Sequence, residues 1–224
     1  RLIIINTPHN PTGSIWDAED LQALQMLIED KPIFLVGDEV YEHIIFDDRL
    51  HESLCRYPDL YERSFVISSF GKTYHVTGWK VGYCVAPPEL TKEFRRIHQF
   101  VTFTVNTPVQ YGLADFLAAE PDHHKQLGSF YQTKRDYFCG LLADSKFQFT
   151  FSSGTYFQLL DYSRISAESD VALARRWTEE SGIASIPVSV FYQRSVPEPP
   201  AVLRFCFAKD NATLERAAEI LCSL

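Results

Sequence analysis

With 224 residues, 46% of them hydrophobic and 22% charged, the chain has the composition of a folded protein, with material for one large or two modest domains. A formal net charge of −8 with scattered basic residues excludes a nucleic-acid surface. No apolar stretch approaches the roughly 20 residues a membrane span requires, and no signal-peptide pattern is present, so a cytoplasmic location is expected.

Leu2–Ile5 is a continuous β-branched run that predicts a strand buried on both faces. It starts abruptly and without an initiator methionine, which predicts an upstream portion and, in its absence, an exposed sheet edge. Two Asn/Pro turns closed by Gly13 follow. Asp17 can then cap a helix with Leu21, Leu24, Leu27 and Ile28 on one face. Pro32 separates it from a second strand, Ile33–Val36, and the three elements read as a right-handed βαβ unit. Loops at the carboxyl ends of such strands are where α/β sheets bind ligands. Asn10, Asp38 and Tyr41 fall there.

The stretch from Ser68 to Pro87 dominates the rest. Phe65–Ile67 and Val81–Ala86 read as strands, and between them a polar turn holds Lys72 just after Gly71, whose missing side chain permits close backbone approach. A strongly hydrated ammonium is unusual there. Desolvation of an amine favours its neutral form, which is the form that makes a Schiff base with an aldehyde. Alone, a lysine between strands is more often a surface-turn residue; in company with Asn10, Asp38 and Tyr41 it marks a site.

Helices are expected from Pro88 to Val101, from Pro108 to Leu117, over about 121–143, over Asp170–Ser181 and over Asn211–Leu224. Strands are expected at Phe147–Phe151, Tyr156–Leu160, Ile183–Ile186 and Val202–Phe207, with a surface loop at Pro197–Pro200. This mixture differs from the parallel pattern before it and predicts a mainly parallel α/β domain over residues 1–120 and a smaller α+β domain over 121–224. Cys55, Cys84, Cys139, Cys206 and Cys222 make neither CxxC nor a metal spacing, so buried free thiols are expected. The seven histidines lack HExxH, no metal is expected, and His123 and His124 read as surface residues.

Asn10-Pro11-Thr12-Gly13, Asp38-Glu39-Val40-Tyr41 and Ser69-Phe70-Gly71-Lys72 occur in that order, with Arg204 later inside Leu203-Arg204-Phe205. This set resembles the class I and II pyridoxal-phosphate-dependent aminotransferases of fold type I. The wording of the motifs is most like that of bacterial methionine aminotransferases and their kynurenine-aminotransferase relatives. The resemblance implies part of a large cofactor-binding domain followed by the small domain, in a homodimer. It implies transfer of an amino group from an amino acid, methionine or an aromatic one, to a 2-oxo acid. By the same resemblance Lys72 would bond the cofactor's aldehyde and move the substrate proton, while Asp38 would hold the pyridine nitrogen protonated. Tyr41 and Asn10 would bind the ring's 3′ oxygen, and Ser69 and Lys80 the phosphate. Arg204 would pair with the substrate carboxylate, and Tyr156 would line the side-chain pocket or serve as a core aromatic. The family's glycine-containing phosphate loop, ring-stacking aromatic and partner-subunit tyrosine would lie upstream. Two rivals are a β-lyase acting on cysteine conjugates, which uses the same lysine, and a non-catalytic cofactor-binding effector domain, against which the intact Lys72, Asp38 and Arg204 stand.

Overall fold

The β-branched run at the start becomes β1 (Leu2–Asn6) in the computed structural model, which describes residues 1–193 and 200–224. Helix α1 (Ala18–Ile28) follows, started by a reciprocal box in which Asp17 accepts from Asp20 N and Asp20 accepts from Asp17 N. Its buried stripe is Leu21, Leu24 and Ile28; Leu27, expected on the same face, is 62% exposed because it falls off the i, i+3, i+7 row. Strand β2 (Phe34–Asp38), helix α2 (Pro58–Tyr61), β3 (Ser64–Ser69), the single turn α3 (Phe70–Thr73) and β4 (Gly82–Val85) come next. They build a sheet in the order β1-β2-β3-β4, with the first three parallel and β4 antiparallel to β3.

One face of this sheet packs Ile5, Leu35 and Val66 against Leu21, Leu24 and Ile28. Burial of this apolar area is the main force holding the sheet to α1. The opposite face departs from the two-sided burial expected of β1, since Leu2 is 56% and Ile4 69% exposed. Ile4, Val36 and Phe65 share a register row, and the Phe94 ring of α4 (Pro88–Val101) stands 6.3 Å from that of Phe65. Helices α5 (Thr107–Ala119) and α6 (His123–Leu141) follow. The first residues of α6 are half-buried, not surface residues as expected. His123 Nε2 lies 3.1 Å from the Thr73 carbonyl, and the His124 ring is 4.9 Å from that of His43.

The described residues divide into two units: Arg1–Pro8 with Ile15–Gly128, and His9–Ser14 with Ser129–Leu224. The second unit holds β5 (Phe157–Asp161), α7 (Asp170–Arg176), β6 (Ile186–Pro187), β7 (Val202–Cys206) and α8 (Asn211–Ser223). Its antiparallel sheet has the order β5-β7-β6. The strand expected at 147–151 reduces to one bridge between Gln148 and Asp161. A side chain takes the ladder's place: Gln158 donates to the Thr150 carbonyl at 2.8 Å and accepts from Ser152 N at 3.1 Å. The strand expected at 183–186 shrinks to Ile186–Pro187, where proline has no amide to donate. The loop expected at Pro197–Pro200 falls, but for Pro200, outside the described residues. All five cysteines are free thiols, but only Cys139 is buried, whereas Cys55 and Cys222 are exposed. Among the described residues no helix is long and apolar enough to cross a membrane.

The segment His9–Ser14 joins the second unit partly through its backbone, as the Gly13 carbonyl accepts from both Ser153 N and Gly154 N at 2.9 Å. Gly13 has φ +70°, and a Cβ there would lie 2.5 Å from Ser152 Cβ and 3.0 Å from the Gly154 carbonyl oxygen. Gly182 has φ +69° with open space around it. Gly182→Ala should therefore cost only the left-handed penalty, about 1–2 kcal/mol. Gly13→Ala adds a steric clash and should cost roughly 1–3 kcal/mol more. Urea unfolding of the two variants checks the ranking.

Candidate active site

In the first unit, strand register brings the polar groups together. Asn6, Asp38, Ile67 and Cys84 occupy one row across the sheet. The Asp38 carbonyl accepts from Asn6 Nδ2 at 2.9 Å and Thr7 N at 3.2 Å, and the next amide, Glu39 N, donates to the Ile67 carbonyl at 2.8 Å. The backbone of Asp38 is thus fixed from both neighbouring strands. Its half-buried carboxylate accepts from Val40 N at 3.4 Å. Burial pushes this carboxyl above its ordinary value, the Val40 amide and the charge of Lys72 pull it back, and Glu39 adds to the rise.

Tyr41, 3% exposed, follows in a tight turn closed by Glu42 N to the Glu39 carbonyl at 2.9 Å. Lys72 is half-buried on α3, and its Nζ stands 5.8 Å from the centroid of the Tyr41 ring. Ser69 caps α3 by accepting from Gly71 N at 3.1 Å. A Cβ on Gly71 would come within 2.9 Å of Thr77 Cα, so the close approach expected of this glycine is real. Lys80 is exposed and left-handed, with φ 56° and ψ 43°, directly before Val81, whose carbonyl accepts from Phe70 N at 3.2 Å. Ser69 and Lys80 therefore flank one backbone pair at the mouth of the Lys72 turn. Trp79 is 46% exposed beside it, whereas Tyr74 packs on Phe70 and His123.

Asn10 belongs to the second unit. There Arg204, half-buried on the central strand β7, donates Nη1–H to Asn10 Oδ1 at 2.5 Å. Its guanidinium carbon lies 4.0 Å from the centroid of the Phe157 ring. Phe157 pairs with Cys206, so the contact with Arg204 is the diagonal one that antiparallel strands provide. Tyr156 is next, its ring 4.7 Å from Phe157 and 5.6 Å from Tyr131. Burial, with Tyr156 and Cys206 nearby, holds the Tyr131 hydroxyl up at about 12, so it stays protonated. Phe157 and Asn6 escaped sequence reasoning. A strand phenylalanine and a strand-end asparagine carry no local mark, and only pairing with Cys206 and Asp38 reveals them.

Residues 1–221 match the family model described as aminotransferase class I and II. The chain is 49% identical over 221 residues to a methionine aminotransferase of Escherichia coli, with 99% of this chain and 57% of the relative covered. It is 34% identical to a kynurenine–oxoglutarate transaminase of Dictyostelium discoideum over 247 residues, covering 100% of this chain and 56% of that protein. A crystal structure of an Escherichia coli protein with methionine aminotransferase function superimposes with a TM-score of 0.95 at 49% identity, covering 100% of this chain and 59% of the other. The chain thus spans little more than half the length of these relatives.

The half-buried charge at Asp38 makes a prediction about the cofactor-free protein. Its raised carboxyl costs folding stability once ionised, so the cost is absent below the ordinary carboxylate value and grows as pH rises through Asp38's own titration. Asp38→Asn keeps an acceptor for Val40 N and removes the charge. Its melting temperature should equal the parent's at strongly acidic pH and exceed it at neutral pH, measured by thermal unfolding across that range.

Proposed function

This chain belongs to the class I and II aminotransferases, and on that premise we propose that the protein is a pyridoxal-phosphate-dependent aminotransferase. Its amino donor in this reading is methionine or an aromatic amino acid and its acceptor a 2-oxo acid, as the likeness to methionine and kynurenine aminotransferases supports. The family resemblance further supports a cytoplasmic homodimer, with the first unit belonging to the large cofactor-binding domain and the second forming the small α+β domain.

The residues present fit the cofactor. Asp38 is a carboxylate whose burial is incompletely offset by Val40 and Lys72, and a protonated ring nitrogen is the partner that would offset the rest. Ser69 and Lys80 offer a hydroxyl and an ammonium beside the Lys72 turn, the donors a phosphate takes; Lys80 supplies a point charge, not a planar fork. By the family resemblance, Tyr41 would bind the ring oxygen with its hydroxyl and Asn10 with its amide. When bound, the cofactor supplies an aldehyde for the amino group and an electron sink for the bond broken at Cα. Lys72 would be the group that takes the proton from the substrate Cα. Asp38 would hold the ring nitrogen protonated. By the family resemblance, Arg204 would pair with the substrate carboxylate.

The single observation that carries this reading is Lys72 Nζ held 5.8 Å from the Tyr41 ring, with the Asp38 carboxylate near enough to feel its charge. Lys72→Ala should abolish amino transfer from methionine while the far-ultraviolet circular dichroism stays unchanged; residual turnover above about one part in a thousand would sink the assignment. Arg204→Lys keeps the charge but loses the fork and the stacking on Phe157. It should lower kcat/KM by roughly 1.5–3 kcal/mol for amino acids. Amines lacking a carboxylate should be indifferent to the change, and equal losses for both substrate types would remove Arg204 from substrate binding.

A further inference from the structure

Glu42 has no part in the roles given above, yet it ties them together. Its Oε1 accepts from Ser68 Oγ at 2.5 Å and from the Tyr83 hydroxyl at 2.8 Å. Ser68 and Tyr83 pair across β3 and β4. These are the strands between which the Lys72 turn is strung, since α3 follows β3 directly and Phe70 N closes onto the Val81 carbonyl. Glu42 itself follows Tyr41 in the turn braced by Ile44 N on the Tyr41 carbonyl at 2.8 Å. One carboxylate oxygen therefore joins the loop of Asp38 and Tyr41 to both strands that flank Lys72.

The surroundings make this contact strong. Ser68 is 3% exposed and the Glu42 side chain 19%. Hydrogen bonds with little water around them are electrostatically stronger than exposed ones. Burial holds the Tyr83 hydroxyl up at about 12, with Glu42 adding to the rise, so Tyr83 remains a donor. The same oxygen has His43 Nε2 at 3.6 Å, outside hydrogen-bond reach.

We infer that Glu42 is a positioning residue for the amino transfer: by accepting from Ser68 and Tyr83 it fixes Tyr41 relative to Lys72 Nζ. The inference rests on the aminotransferase reading above. Its content is geometric. An acceptor oxygen is needed at this point, and the charge is secondary.

The test uses the full-length, pyridoxal-phosphate-loaded protein with methionine as amino donor. Glu42→Ala should lower kcat roughly tenfold, equivalent to about 1.4 kcal/mol. The KM for methionine should stay within about twofold, and the absorbance maximum of the bound cofactor should shift. Glu42→Gln retains an acceptor oxygen and should recover most of the rate and the parental absorbance. Tyr83→Phe and Ser68→Ala should each reproduce part of the loss and add little to Glu42→Ala, because all three remove one network. If Glu42→Ala is insoluble, this pair carries the test unaided. Parental kcat and absorbance in Glu42→Ala, failure of Glu42→Gln to recover, or parental behaviour of both single-hydroxyl variants overturns the inference. A parent protein that neither binds cofactor nor loses activity in Lys72→Ala instead overturns the aminotransferase reading, and the two failures are distinct.

Discussion

The pinning of β2's carboxyl end is the constraint on which the first unit depends. Asn6 and Thr7 both donate to the Asp38 carbonyl, and Glu39 N donates to Ile67. With its backbone held from both sides, Asp38 is kept at this half-buried strand end, and the sheet imposes the cost of its half-burial. The cores around Ile5, Leu35 and Val66 supply the rigidity, because slipping β2 by one residue would turn its buried row outward. A carboxylate held with unspent affinity for a cationic N–H group is the kind of local cost that a binding partner later offsets.

The second unit solves a different problem, which is to hold an arginine on a central strand. Asn10 accepts one N–H, and the Phe157 face lies against the guanidinium. A hydrogen bond to a charged group contributes about 1.5–3 kcal/mol and a cation–π contact about 0.5–2 kcal/mol, and neither neutralises the charge. Asn10 reaches this position because Gly13 seats its loop on Ser153 and Gly154, and the left-handed backbone there leaves no room for a side chain.

Much of this was legible in the sequence where the determinants are local. The βαβ start, the Asp17 cap, the Lys72 turn and the arginine within an apolar strand are each written in a few consecutive residues. What escaped depended on partners far along the chain. Phe147–Phe151 has the alternation of a strand, but the Gln158 amide takes its backbone groups. His123 and His124 look like surface residues until α6 sets them against Thr73 and His43. Glu42 is one acid among several in Asp38-Glu39-Val40-Tyr41-Glu42, and nothing nearby announces Ser68 or Tyr83, 26 and 41 positions on. The exposed row of Leu2 and Ile4 likewise depends on what packs against that face, which an apolar run alone does not specify.

In the function proposed above, the Lys72 amine bonds the cofactor, while Lys80, eight residues on, serves only the phosphate. Borohydride treatment of the pyridoxal-phosphate-loaded protein, followed by proteolysis and peptide mass mapping, reads this directly. One pyridoxyl group is expected, on the peptide containing Lys72 and on that residue. A label on Lys80, or spread over several lysines, would contradict it.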